Sequence, residues 1–210
     1  MRRIVLASAS PRRKELLSQI HLTFEVEPSE YPENVKTKLA PEALVRFLSR
    51  EKAKAIAPKY PDSLIIAADT IGVIHGQVIG KPETPAAARR MLCLLSGKTH
   101  VVITGFTILD TGSGRIHPER THRERMLTRT VKTEVTFRKL TLSEIDAYIS
   151  SGEPFRENLQ GEPLDKAGAY AIQGRGAVLV KELKGDYYNV MGLPLSALTV
   201  ALKKFGVDVL

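Results

Sequence analysis

The chain predicts an α/β protein built on a mixed sheet with flanking helices, and three observations carry that expectation. Short apolar runs suited to strands recur at 4–7, 63–68, 73–79, 100–109, 130–140 and 177–184. Helical patterns fill several of the gaps between them. Adjacent strands in the middle of the chain, set beside strands that helices separate, make the sheet mixed.

Each element has a local cause. The run Ile4-Val5-Leu6 opens the chain as a strand, and a helix begins at Pro11, whose ring fixes φ and whose missing N–H would be unpaired in a first turn. Ser10 is placed to cap the amides that follow. A helix over 41–57 starts at Pro41 and repeats apolar positions at Leu44, Leu48 and Ala55. The run Ile65-Ile66-Ala67-Ala68 is apolar on both faces, the mark of a central strand, and 73–79 folds about a His75-Gly76 turn. Thr84-Pro85 is a cap and first-turn pair ahead of Ala88, Leu92 and Leu95. Thr141-Leu142-Ser143-Glu144 is a capping signature that opens a helix over 141–150, and a last helix covers 193–205.

The 210 residues, 43% of them hydrophobic, suffice for one domain over 1–210, with no linker separating independent units. The first apolar run is too short for a signal peptide, and no segment approaches the roughly 18 apolar residues of a membrane span, so the expectation is a soluble cytoplasmic protein. One cysteine, Cys93, excludes an intrachain disulfide and argues against a cysteine metal site; among Met91, Leu92, Leu94 and Leu95 it reads as core. The net charge of +8 invites a nucleic-acid reading, but the polar stretch 111–132 supplies +4 of it, so the rest is only mildly basic and nucleic acid is not the expected partner.

The chemistry-bearing stretch is Ala7-Ser8-Ala9-Ser10-Pro11-Arg12-Arg13-Lys14, where a strand hands over to a helix with three cations gathered at the junction. A helix N-terminus carries a partial positive charge, so added cations there oppose the dipole unless an anion such as a triphosphate offsets them. The plain alternative is a short solvated helix. Arg13, three and four residues before Leu16 and Leu17, shares the inward face, where a charge needs a partner.

Asp69 closes the apolar run 65–68 and would sit at a strand end, where a carboxylate can hold a divalent ion or deprotonate a water, or simply cap a turn. Lys81, in Gly80-Lys81-Pro82, lies twelve residues after Asp69 and would return near it if 73–79 is a hairpin. Lys52, four after Leu48 and seven after Val45, points to the buried side of its helix and needs an anion. Asp165-Lys166-Ala167-Gly168-Ala169-Tyr170 sets another cation beside a small-residue turn that lets a ligand approach the backbone. Ser96-Gly97-Lys98-Thr99 fails as a phosphate loop, since Leu92 stands where the motif needs glycine and the strand and helix are in the wrong order. Gly174-Arg175-Gly176 is too short for a dinucleotide fingerprint, and the five histidines show no ligand spacing.

Taken together, Leu6-Ala7-Ser8-Ala9-Ser10-Pro11-Arg12-Arg13, Ala67-Ala68-Asp69-Thr70, Gly80-Lys81-Pro82, Leu95-Ser96-Gly97-Lys98-Thr99-His100, the Asp165–Tyr170 block with Ile172-Gln173-Gly174, and Tyr188-Asn189-Val190-Met191-Gly192-Leu193-Pro194 resemble the Maf family of septum formation proteins. The resemblance implies a nucleoside triphosphate pyrophosphatase of the inosine triphosphatase-like architecture, with two lobes around a central cleft and a homodimeric assembly. It assigns Asp69 as proton acceptor, and Glu33 with Asp69 to a divalent metal, Mg²⁺ first and Mn²⁺ or Co²⁺ as alternatives. It assigns Ser8, Arg13, Lys52, Lys81 and Lys166 to the phosphates. Arg12, Thr70 and Gln173 occupy the base-selecting places, in a combination similar to the branch acting on dTTP, UTP and modified uridine triphosphates. An Arg and a Gln can read the O4, N3–H and O2 edge of a pyrimidine. Role in cells would be clearance of nucleotide pools, with a link to division arrest.

Two stretches depart from the family pattern. Residues 155–163, which end in a second Gly-Glu-Pro at 161–163, intervene between Gly152-Glu153-Pro154 and the Asp165-Lys166-Ala167-Gly168 block, and the stretch near 111–129 is longer than usual. The competing reading is a non-catalytic nucleotide- or RNA-binding regulator, which would need the cations, including Arg120, Arg123, Arg125 and Arg129, but neither Asp69 nor Glu33.

Overall fold

The structure, a computed structural model, describes residues 2–32, 39–112, 125–155 and 166–210. Glu33, Arg120, Arg123, and the bulk of the expected insertions at 111–129 and 155–163 lie outside the described residues. The elements run β1 (Arg3–Leu6), α1 (Pro11–Gln19), β2 (Glu25–Val26), α2 (Pro41–Ile56), β3 (Ser63–Ile74), β4 (Gln77–Ile79), α3 (Pro85–Leu95), β5 (Thr99–Asp110), β6 (Arg125–Phe137), α4 (Leu142–Ser150), β7 (Val180–Lys184), α5 (Tyr187–Met191) and α6 (Leu195–Lys203). Tight 3₁₀ turns cover Ala57–Lys59, Glu153–Phe155, Ala167–Ala169 and Gly174–Leu179.

Among the described residues the strands form one seven-stranded sheet in the order β2-β1-β3-β5-β6-β7, with β4 paired to β3. It is mixed, as expected: β1 pairs parallel with β2 and β3, while β3–β4 and β6–β7 are antiparallel. A parallel neighbour needs a crossover connection, and α2 lies on the path from β1 to β3. The tight hairpin between β3 and β4 pairs Ile74 with Gln77 around His75 and Gly76, both at positive φ, the backbone such two-residue turns require.

The structure departs from the expected elements and buried faces in several places. Runs 63–68 and 73–79 were expected as separate strands, but β3 passes without a break through Asp69 and Thr70 to Ile74. Asp69 is therefore inside a strand rather than at its end, and caps no turn. In α2 the buried stripe is Val45, Leu48, Ser49, Lys52, Ala53 and Ile56, whereas Ala55 is exposed. Cys93 is exposed as well, because α3 buries Ala88, Leu92 and Leu95 and the residue after Leu92 turns about 100° away from that stripe. The expected strand 177–184 begins at Val180, since 177–179 finish a 3₁₀ turn.

The chain divides into two compact units, Met1–Asp69 with Thr104–Val131 and Gly192–Leu210, and Thr70–Ile103 with Lys132–Met191. In the first, Val5 and Ala7 of the β1 segment, Ile65 and Ala67 of β3 and Leu109 of β5 pack with Ala53 and Ile56 of α2. In the second, Thr84 caps α3, and Thr141 and Glu144 make the expected capping box on α4. Arg89 and Asp146 join those helices through two hydrogen bonds of 2.7 and 3.2 Å. Asn189 donates to the carbonyl of Val102 and to Thr133 Oγ1, so this motif residue ties α5 to β5 and β6.

Candidate functional site

Strand periodicity decides which face of β3 meets α2. Side chains alternate along a strand, so Ile65, Ala67 and Asp69 share a face, and the first two already pack against Ala53 and Ile56 of α2. On the helix, Lys52 lies within the buried stripe, one turn before Ile56. The two periodicities bring Lys52 Nζ to 2.7 Å from Asp69 Oδ1, with both side chains buried. The inward lysine has its anion. It also fixes the orientation of a carboxylate that would otherwise be hard to keep inside a strand.

Two features seat α2 on the sheet. A Cβ added to Gly105 of β5 would lie 2.6 Å from the carbonyl carbon and oxygen of Val45, so only glycine lets the helix approach this closely. Beside it, Ser49 Oγ meets Thr107 Oγ1 at 2.9 Å, and Thr107 Oγ1 meets Thr128 Oγ1 at 3.0 Å. An isolated glycine inside a strand run signals such an approach, and Ile103-Thr104-Gly105-Phe106 carried that signal.

The strand-to-helix junction is built differently from the expectation. Pro11 is the first helical residue, but Ser10 makes no side-chain cap bond. Ser8 takes the organising role: its Oγ accepts from the Ser10 amide at 3.2 Å and from Arg13 Nη1 at 3.1 Å. Arg13 also donates through Nε to the carbonyl of Gly192 at 2.9 Å, so the inward arginine is held on both sides of its guanidinium. Gly192 has φ +116°, a backbone that favours glycine. Arg12 follows Pro11 in the same turn and is half-buried. Ser8, Arg12, Arg13, Lys52 and Asp69 thus all belong to the first unit.

Thr70, Lys81, Lys166 and Gln173 belong to the second unit. Thr70 is half-buried on β3, and Lys81 is exposed just after β4. The Gly168 amide donates to the carbonyl of Gly80 at 3.1 Å, which brings the Gly80-Lys81 segment to the turn that follows Lys166. That turn needs positive φ at Gly168 (+79°) and at Ala169 (+64°), the latter uncommon for a residue with a Cβ. Lys166 is buried and donates through Nζ to the carbonyl of Glu153. Gln173 is half-buried and precedes the Gly174–Leu179 turn, whose Arg175 and Gly176 amides donate to the Glu153 carboxylate at 2.9 and 3.1 Å. Sequence reasoning gave Glu153 no role, because the partners of its carboxylate lie more than twenty residues away and no local pattern records them.

In the same unit, His100 Nε2 meets Tyr170 Oη at 2.8 Å, and both rings pack edge-on with Phe137. Burial pushes the imidazole down to about 4 and the Tyr170 phenol above its usual range. His100 is a neutral core residue. Among the described residues no group of three or more His, Cys, Asp or Glu is arranged to hold a metal.

The family described as Maf-like protein matches residues 3–205. A dTTP/UTP pyrophosphatase from Moorella thermoacetica is 49% identical over 210 residues, covering 100% of this chain and 98% of the relative. Proteins of the same name from Bacillus cereus and Bacillus anthracis are 44% identical over 209 residues, again 100% and 98% of the two chains. Among solved structures, a HAM1 protein from Coxiella burnetii aligns with TM-score 0.41 and 16% identity over 65% of this chain and 73% of that one.

Proposed function

Since the chain belongs to the Maf-like protein family, we propose that it hydrolyses dTTP and UTP, and modified uridine triphosphates, to the nucleoside monophosphate and pyrophosphate. The observation that carries this reading is the buried Lys52–Asp69 pair, a fixed carboxylate beside a cation at the end of the apolar run 64–68 of β3.

In the proposed mechanism a water hydrogen-bonded to Asp69 attacks the α-phosphorus. Its proton passes to the carboxylate, the bond from the α-phosphorus to the bridging oxygen breaks, and pyrophosphate leaves. Lys52, donating to Oδ1, keeps the carboxylate aimed during this transfer. Arg13, Ser8, Lys81 and Lys166 hold the phosphates, the planar guanidinium of Arg13 being suited to paired phosphate oxygens. Arg12, Thr70 and Gln173 choose the base.

The donor chemistry fits a divalent ion. Mg²⁺ is commonly held by one or two carboxylates together with substrate phosphates and water, and Asp69 offers one hard oxygen donor while Glu33 is the expected second. When bound, the ion supplies charge neutralisation at the reacting phosphate; Mn²⁺ and Co²⁺ are the alternatives. Family membership also supports a homodimeric cytoplasmic enzyme that clears nucleotide pools, with a link to division arrest; no described helix is long and apolar enough to cross a membrane.

The test is a panel of nucleoside triphosphates assayed for pyrophosphate with and without Mg²⁺. Release from dTTP and UTP, abolished in Asp69→Asn while nucleotide binding survives, is the expected result. Unchanged turnover in that variant would remove Asp69 from the chemistry, and no release from any nucleotide would leave a binding protein.

A further inference from the structure

One residue holds two of the expected ligand contacts in the second unit by different atoms. Glu153 is 9% exposed; its main-chain carbonyl accepts from Lys166 Nζ, and its carboxylate accepts from the amides of Arg175 and Gly176. The fit around that carboxylate is tight. Gly174 stands at φ +63°, and a Cβ there would lie 2.8 Å from Glu153 Oε1. On the other side of the turn, a Cβ on Gly176 would lie 2.1 Å from the carbonyl oxygen of Ala171 and 2.9 Å from Tyr148 Oη. The segment from Ala171 to Gly176, with Gln173 in its middle, is therefore pinned between Glu153 and Tyr148.

We propose that Glu153 is a positioning residue for base selection, setting the Gln173–Gly174 turn through its carboxylate while its carbonyl anchors Lys166. The proposal rests on the reading of Gln173 as a base contact. A buried carboxylate that accepts two amides cannot be replaced without leaving a donor unsatisfied: in Glu153→Gln the carboxamide oxygen serves one amide, and its NH₂ faces the other. Because the Lys166 contact runs through the main chain, a side-chain change should disturb the base preference more than the phosphate grip.

The experiment compares wild type, Glu153→Gln, Glu153→Ala, Gln173→Ala and the double variant Glu153→Gln/Gln173→Ala. Kd values for dTTP and dCTP are measured by calorimetry, and kcat and KM for dTTP alongside. The dTTP-over-dCTP preference should fall about tenfold in the Glu153 variants, no further in the double variant than in Gln173→Ala alone, with kcat for dTTP changing less than the preference does. Amide exchange at Arg175 and Gly176 should quicken in Glu153→Gln, the variant that keeps the size of the side chain. An unchanged preference, losses that add in the double variant, or amides exchanging no faster would each overturn the proposal. If wild type binds dTTP without releasing pyrophosphate, the proposed activity fails while the Kd ratios and amide exchange still decide the role of Glu153.

Discussion

Lys52 Nζ lies 2.7 Å from Asp69 Oδ1, with the two side chains 7% and 10% exposed. A buried ion pair returns little net stability, since both charges leave water, but removing one partner strands the other. Lys52→Met should destabilise the protein by about 3–5 kcal/mol, and Lys52→Met/Asp69→Leu should recover most of that loss. Urea denaturation of wild type, both single variants and the double variant measures the coupling. Additive losses would show that the two charges do not interact in solution.

The same pair shows what periodicity can and cannot convey. Helical spacing placed Lys52 inward, whereas the run before Asp69, apolar on both faces, indicated a central strand but neither the face of Asp69 nor its partner. The end of the strand was not legible, because the cation that lets Asp69 remain inside β3 comes from another element, seventeen residues away. Phase was also lost where apolar residues crowd together: from Met91 to Leu95 there is no polar residue to tell which side faces in, and Cys93 falls on the outside. Glu153 acts through amides 22 and 23 residues away and Gly192 through the side chain of Arg13 from the other end of the chain, contacts which no local pattern encodes. The caps of α3 and α4, by contrast, are local and stood where Thr84 and Thr141 indicated.

Gly105→Ala should loosen the seat of α2. The added methyl would meet the Val45 carbonyl at 2.6 Å, and since the obstacle is backbone, the helix itself has to move. Overpacking of this kind costs about 1–3 kcal/mol, and the shift would pull Ser49 from Thr107 and Lys52 from Asp69. Thermal melting and dTTP turnover should both fall. A variant with wild-type melting would show that α2 has room to spare.

Arg13→Lys tests the junction between β1 and α1 without removing its charge. The guanidinium donates from Nε to Gly192 and from Nη1 to Ser8, a fork that a single ammonium cannot reproduce. KM for dTTP should rise about tenfold, as for loss of one charge-assisted contact, with melting little changed. Gly192→Ala should raise KM in the same direction and also lower stability by about 1–3 kcal/mol, since φ +116° strains any residue with a Cβ. An unaltered KM in Arg13→Lys would mean that charge alone matters there.

Acid should destabilise the second unit through His100. Burial holds its imidazole down to about 4 against an ordinary 6.5, and neither Phe137 nor the neutral Tyr170 phenol offers a counter-charge. Between those two values the unfolded chain binds a proton that the folded protein refuses, so stability rises with pH across this window and is flat above it. Descending from pH 7 to pH 4, the protein should lose roughly 3 kcal/mol through this one group. His100→Gln removes the titration and keeps a hydrogen-bonding side chain near Tyr170. The difference in unfolding free energy between wild type and variant should therefore be constant above pH 6.5 and shift against wild type below it. A difference that stays constant down to pH 4 would show that the imidazole takes up its proton without leaving the core.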